Sequence, residues 1–175
     1  MPETLHPLAP LTFPLHGSRL IEASAGTGKT WTIAALVVRL VLGHGGANAF
    51  APQGQPCPLQ PAQILVMTFT RAATRELSER IRARLVEAAA CFRGHSVGDD
   101  FLHDLLATYP EATQREQAAW RLELAAQGMD DAAIFTIDAW CQRVLREHAL
   151  DSGSLLAETL EADEAQRLTE ALQDY

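Results

Sequence analysis

The chain has 175 residues and a net charge of −8, with 47% hydrophobic and 21% charged residues. That length fits one domain, or one and the start of a second, and a mean hydropathy of −0.03 excludes a disordered, collagenous or coiled-coil chain. The acidic sum also excludes a uniformly basic nucleic-acid binder.

Residues 1–18 read as irregular, and Pro2, Pro7, Pro10 and Pro14 interrupt any secretory apolar core. Arg19–Ser24 predicts a short strand, broken by Gly26 and Gly28. Residues 28–42 predict a helix with Trp31, Ile33, Leu36, Val37, Leu40 and Val41 on nearly every face, hence a buried one. Its mostly apolar stretch, Trp31–Leu42, is far short of the roughly 20 residues that cross a bilayer. A cytoplasmic protein without membrane contact is the expectation. Residues 43–62 hold four Gly and four Pro and predict a long loop.

Gln63–Phe69 is a nearly continuous apolar run and predicts a strand buried on both faces. In residues 71–92, Ala73, Leu77, Ile81, Leu85, Ala88 and Phe92 recur at helical spacing. Residues 71–98 carry six Arg and three Glu, the one net-basic stretch of size. The Arg residues over 75–84 are read as a solvated face. Residues 99–108 and 112–127 predict acidic helices, within an acidic segment over about 99–131. Ala133–Ile137 predicts a third strand, and Asp138 an N-cap for a helix over 139–149. An acidic helix is expected over 157–173. There is no internal repeat. Cys57, Cys91 and Cys141 are odd in number and far apart, so they offer neither a disulfide framework nor zinc spacing. Cys141 is read as a small buried residue. The scattered histidines, His44 among them, are read as surface or loop residues.

Strands alternating with helices give an α/β fold: part of a P-loop domain with a parallel sheet and helices on both faces.

Ala23-Ser-Ala-Gly-Thr-Gly-Lys-Thr30 carries the chemistry. It follows G-x-x-x-x-G-K-[ST], with Ala23 in the first Gly place. Gly26 and Gly28 allow the backbone to approach phosphate closely. The N–H groups of Ser24, Ala25, Gly26, Thr27 and Gly28 are candidates for an anion nest at a helix N-terminus. Lys29 supplies a point charge to the β- and γ-phosphates of ATP, and Thr30 a hydroxyl to Mg²⁺. Lys29 is the chain's one lysine among fourteen basic residues. A chance Gly-rich strand–helix turn is the bland alternative, and the full eight-residue match disfavours it. Ile134-Phe-Thr-Ile-Asp138 could be a strand ending in a Mg²⁺-binding carboxylate, but Ala139 stands where an ATPase usually has Glu.

Three segments carry a resemblance. Leu20–Thr30 resembles the first helicase motif of the RecB-type subunits of exodeoxyribonuclease V, which are UvrD-like superfamily-1A helicases. Ile64–Ile81 resembles their motif Ia, and Phe135–Val144 their motif Ib. The resemblance implies ATP-driven translocation on single-stranded DNA, duplex unwinding and a role in double-strand-break repair. It implies a RecA-like domain 1A over 1–150 and the start of a helical 1B insertion at 151–175. It also implies partners: single-stranded and duplex DNA, the remainder of a longer polypeptide, and other subunits of a RecBCD-like complex. Carried over residue by residue, DNA contacts fall on Thr68, Thr70, Arg71, Thr136 and Gln142. Hydroxyls and Arg at strand ends suit phosphate contacts, which position DNA without reading sequence. Two positions depart from the family pattern. Asp138 stands where His is usual, and His16 where related sequences can carry Gln. No Walker B strand of the family kind, arginine finger or second motor domain is found, so an N-terminal segment that is inactive by itself is expected. The family's nuclease needs a Lys beside its carboxylates, and Lys29 is already assigned. A self-contained P-loop nucleotide or metabolite kinase using Asp138 for Mg²⁺ is the alternative. A non-catalytic module docking through the basic helix is a third.

Overall fold

The computed structural model describes residues 7–24 and 26–148. In chain order these form α1 (Lys29–Leu42), β1 (Val66–Thr68), α2 (Arg71–Phe92), α3 (Asp100–Ala107), α4 (Ala112–Gln127), β2 (Ile134–Thr136) and α5 (Ile137–Glu147). Short 3₁₀ turns occupy Gly46–Asn48, Pro61–Gln63 and Gly128–Asp131. The chain divides into two compact units, one ending at Thr136 and one beginning at Ile137. Of the second unit, α5 and His148 are described. The acidic helix expected over 157–173 lies outside the described residues.

Helix ends follow local chemistry. Gly43, at φ 64°, closes α1, and its N–H donates to the carbonyls of Arg39 and Leu40. The Thr70 hydroxyl caps α2 by accepting from the Ala73 N–H at 3.1 Å. Asp99 caps α3 by accepting from the Leu102 N–H at 3.0 Å.

The core of the first unit is helical. Helix α2 packs on α4 and α1. Ala35 and Val38 of α1, Ile81 and Leu85 of α2, Leu102 and Leu105 of α3, and Leu122 of α4 are almost wholly buried. Ala118, Ala119, Ala125 and Ala126 give α4 a face without bulk, which lets α2 approach closely. Ion pairs Arg82–Asp130 (2.6 Å) and Arg93–Glu123 (2.7 Å) tie α2 to the α4 side. They are partly exposed and therefore weak.

A buried arginine anchors the first described residues. Arg39 of α1 donates from Nη1 to the carbonyls of Pro10 and Phe13, both at 2.7 Å. Its Nε donates to His44 Nδ1 at 3.3 Å. Burial, and then the charge of Arg39, lower the His44 pKa to about 4. His44 is thus a partly buried neutral partner and not a surface residue.

The sheet corrects the sequence reading. It has two parallel strands, with Val66 opposite Ile134, Met67 opposite Phe135 and Thr68 opposite Thr136. Arg19–Ser24 forms no strand. It is largely exposed and makes no ladder, because no described strand offers it hydrogen-bonding partners. The run Gln63–Phe69 yields three strand residues, and Pro61–Gln63 is a 3₁₀ turn. Burial on both faces is not found. Helix α2 packs on the sheet, while Met67 is 52% and Phe69 87% exposed. Cys141 is exposed, and the buried cysteine is Cys91.

Candidate functional site

The Ala23–Thr30 segment forms an open turn entering α1. Gly26 and Gly28 adopt φ of 79° and 85°, the left-handed region that glycine enters at no steric cost. Gly28 is the N-cap of α1 and has no side chain with which to cap it. No acidic residue lies in the first turn. The N–H groups that begin the helix therefore face an anion without competition.

Lys29 is the first residue of α1. Its ammonium reaches back and donates to the Ala23 carbonyl at 2.9 Å and the Ser24 carbonyl at 2.6 Å. Thr27 adds a hydroxyl donation to the Ser24 carbonyl at 2.7 Å. The turn is thus closed by its own side chains, with its cation at the mouth. Thr30 follows on the first turn of α1, partly buried. Ala25 lies outside the described residues. Donors of this kind, an uncapped helix end, an ammonium and a hydroxyl, fit a polyphosphate with its divalent cation.

A second group gathers at the carboxyl ends of the two strands. Thr68 and Thr136 are register partners, and Thr70 and Arg71 follow β1 directly. Their hydroxyls are partly committed. Thr68 Oγ1 lies 2.6 Å from Thr74 Oγ1, and Thr74 Oγ1 donates to the Thr70 carbonyl at 3.0 Å. The Thr70 oxygen accepts the α2 cap. Arg71 is exposed at the head of α2 without an ion pair among the described residues. Gln142 belongs to α5, in the second unit.

Asp138 sits in the first turn of α5 and is not its N-cap, because the helix begins at Ile137. It does not terminate a strand either, since β2 ends at Thr136. The strand-ending carboxylate on which the small-kinase alternative relies is therefore not found at Asp138. The arginine face also needs correction. Arg75 and Arg80 are exposed and pair with Glu79 and Glu76 one turn away, but the Arg84 side chain is only 7% exposed.

Sequence reasoning missed the cluster around Arg84. Its Nη2 donates to both Asp99 oxygens, at 2.8 and 2.7 Å, and its Nη1 to Glu87 at 2.8 Å. The guanidinium carbon lies 5.3 Å from the Trp31 ring centroid and 5.4 Å from that of Phe101. The Trp31 indole N–H donates to Asp99 Oδ2 at 3.2 Å. Burial works against the Asp99 charge, but hydrogen bonds from Arg84 and the Leu102 N–H hold its carboxyl below the usual range. A signal was present: Leu77, Ile81, Arg84 and Ala88 share one helical stripe, so Arg84 stands at a core position.

Comparison with known proteins places these residues in context. The UvrD/REP helicase N-terminal domain matches residues 7–174. The RecBCD enzyme subunit RecB of Escherichia coli is 47% identical over 176 aligned residues, covering 100% of this chain and 14% of that protein. The same subunit of Haemophilus influenzae is 43% identical, over 87% of this chain and 12% of its own length. That of Mycolicibacterium smegmatis is 35% identical, over 88% of this chain and 13% of its own. The chain thus spans about one-eighth of the length of the curated relatives it matches.

Proposed function

This chain belongs to the UvrD/REP helicase N-terminal domain family, and from that premise we propose that it is the ATP-binding segment of a RecB-like DNA helicase and exodeoxyribonuclease subunit. In this reading ATP hydrolysis is coupled to translocation on single-stranded DNA and to duplex unwinding in double-strand-break repair. The observation that carries it is the uncapped, acid-free first turn of α1 with Lys29 and Thr30 upon it.

The roles follow from chemistry. The backbone N–H groups over residues 23–30 hold the phosphates, with Gly26 and Gly28 supplying the left-handed conformations. Lys29 releases the Ala23 and Ser24 carbonyls and turns its charge to the β- and γ-phosphates. The Thr30 hydroxyl faces Mg²⁺, which would neutralise charge developing on the phosphates. Thr68, Thr70, Arg71 and Thr136 meet the DNA backbone at the strand ends, and Gln142 does so from α5. Arg71 is the exposed cation of the set. Groups that orient water, the second motor domain and the other subunits of a RecBCD-like complex complete the machine. By itself the chain is expected to bind nucleotide and to turn over little or none.

The test is Mg²⁺-dependent ATP hydrolysis by the purified chain, with and without single-stranded DNA, beside Lys29→Ala. Background turnover in both conditions, with ATP binding that Lys29→Ala removes, supports an incomplete motor. Steady DNA-stimulated turnover lost in Lys29→Ala would mean that a full catalytic set lies within these residues. The kinase reading receives no support from Asp138, which neither ends a strand nor shares a unit with Lys29.

A further inference from the structure

We propose that Asp99 and Arg84 are positioning residues for the phosphate-binding turn, acting through the indole of Trp31. This deepens the nucleotide-binding reading of the α1 N-terminus and rests on it.

Trp31 lies beside the phosphate-binding turn. It is the third residue of α1, directly after Lys29 and Thr30, and so belongs to the turn whose N–H groups would meet phosphate. That turn has no side-chain cap, and Arg19–Ser24 before it pairs with no strand. Lys29 and Thr27 tie the turn to its own carbonyls, and a second constraint comes from behind the helix.

Asp99 supplies it. Its Oδ1 accepts from the Leu102 N–H of α3 and from Arg84 Nη2 of α2, and its Oδ2 accepts from Arg84 Nη2 and from Trp31 Nε1 of α1. One carboxylate therefore joins three helices. The Trp31 ring stands edge-on to Phe101, with centroids 5.7 Å apart and planes at 78°. The Arg84 guanidinium lies against both rings, so the indole is fixed by its edge and by its face. Arg84 Nε is buried without a hydrogen-bond partner. Gly98 makes the approach possible. It adopts φ 70°, and a Cβ there would lie 3.0 Å from Leu102 Cβ and 3.1 Å from Cys91 Sγ.

The buried face of α1 sets the rotation of the helix as a whole, and the indole, 41% exposed yet held at edge and face, adds a constraint at its first turn. Rotation sets where the first N–H groups and the Thr30 hydroxyl point. Loss of the tether should therefore be felt at the phosphates. A role limited to stability would instead lower the melting temperature and leave nucleotide affinity intact.

The experiment uses the full-length polypeptide. Affinity for a fluorescent ATP analogue with Mg²⁺ is measured beside KM and kcat for ATP hydrolysis and the melting temperature. Trp31→Phe keeps the ring and removes the N–H donor. Asp99→Asn keeps the shape and removes the charge. Arg93→Gln breaks the α2–α4 ion pair away from this cluster and serves as the stability control. Trp31→Phe and Asp99→Asn are expected to weaken ATP binding and raise KM about tenfold, the size seen when a partner orienting a ligand-holding group is lost, with kcat little changed. If Asp99→Asn does not fold, Trp31→Phe alone decides. Affinity in Trp31→Phe no weaker than in Arg93→Gln overturns the positioning role. Lys29→Ala separates the two claims: if it leaves ATP affinity intact, the nucleotide-binding reading itself is overturned, whatever Asp99 does.

Discussion

At Gly28, φ of 85° places the backbone where an L side chain costs about 1–2 kcal/mol, although a Cβ there would meet no atom within 4 Å. Gly28→Ala is therefore expected to weaken ATP binding, seen by titration, with only a small drop in melting temperature. Gly98→Ala adds a collision with Leu102 and Cys91 to the same strain and is expected to melt clearly lower than Gly28→Ala. His44 makes stability depend on pH. Its folded pKa, about 4, lies below the ordinary 6.5, so between those values the unfolded chain binds a proton that the folded chain refuses. Stability then falls as pH drops through that window, by at most about 1.4 kcal/mol per pH unit. Urea unfolding at pH 7 and pH 5 should show a smaller difference in His44→Asn than in the parent, and an equal difference would remove His44 as the cause. Lys29 was legible in the sequence because it is the one lysine and falls inside a fixed motif. His44 and Arg84 were not, because their character is set by neighbours distant in sequence: Arg39 with the Pro10 and Phe13 carbonyls, and Asp99 with Trp31.

Among elements, helices and strands differed sharply in how well local pattern foretold them. The expected helices over 71–92 and 112–127 match α2 and α4 at both ends, because helical pattern, and for α2 the Thr70 cap, depend only on nearby residues. Strands need partners. Arg19–Ser24 has strand-like residues and no described neighbour, so it stays unpaired. Asp138 was misread as a cap because α5 begins at Ile137, immediately after β2 and with no intervening residue. At the head of α2, two neighbours carry separate duties. The Thr70 hydroxyl caps the helix, so Thr70→Ala would mix a stability loss of about 1 kcal/mol with any DNA effect. Arg71 has no such structural bond. Arg71→Ala is expected to leave the melting temperature unchanged, to weaken single-stranded DNA binding by the full-length polypeptide, and to lower its salt dependence by about one charge. An unaltered salt slope would remove Arg71 from the DNA contacts.

Taken as a whole molecule, the described residues concentrate their apolar burial among helices and leave the sheet thinly covered. Leu20, Leu65, Met67 and Phe69 are all exposed large apolar residues, three of them on or beside β1. Among the described residues the two-stranded sheet also keeps its outer edges unpaired. The isolated chain is expected to self-associate with rising concentration, measured by sedimentation, and Met67→Thr with Phe69→Ser to reduce it. A monomer at all concentrations would show that this surface is covered within the chain itself. No helix among the described residues is long and apolar enough to cross a membrane.

The lone lysine has a practical consequence. Lys29 Nζ rests on the Ala23 and Ser24 carbonyls, and the chain has no second side-chain amine. Reductive methylation with isotope-labelled formaldehyde would therefore place a single side-chain reporter in the molecule, on the turn itself. The same reaction labels the chain's α-amino group, and the Lys29 resonance is told from it by its absence in Lys29→Arg. One peak would follow the ammonium as it leaves those carbonyls for phosphate, and the turn could be watched opening in solution.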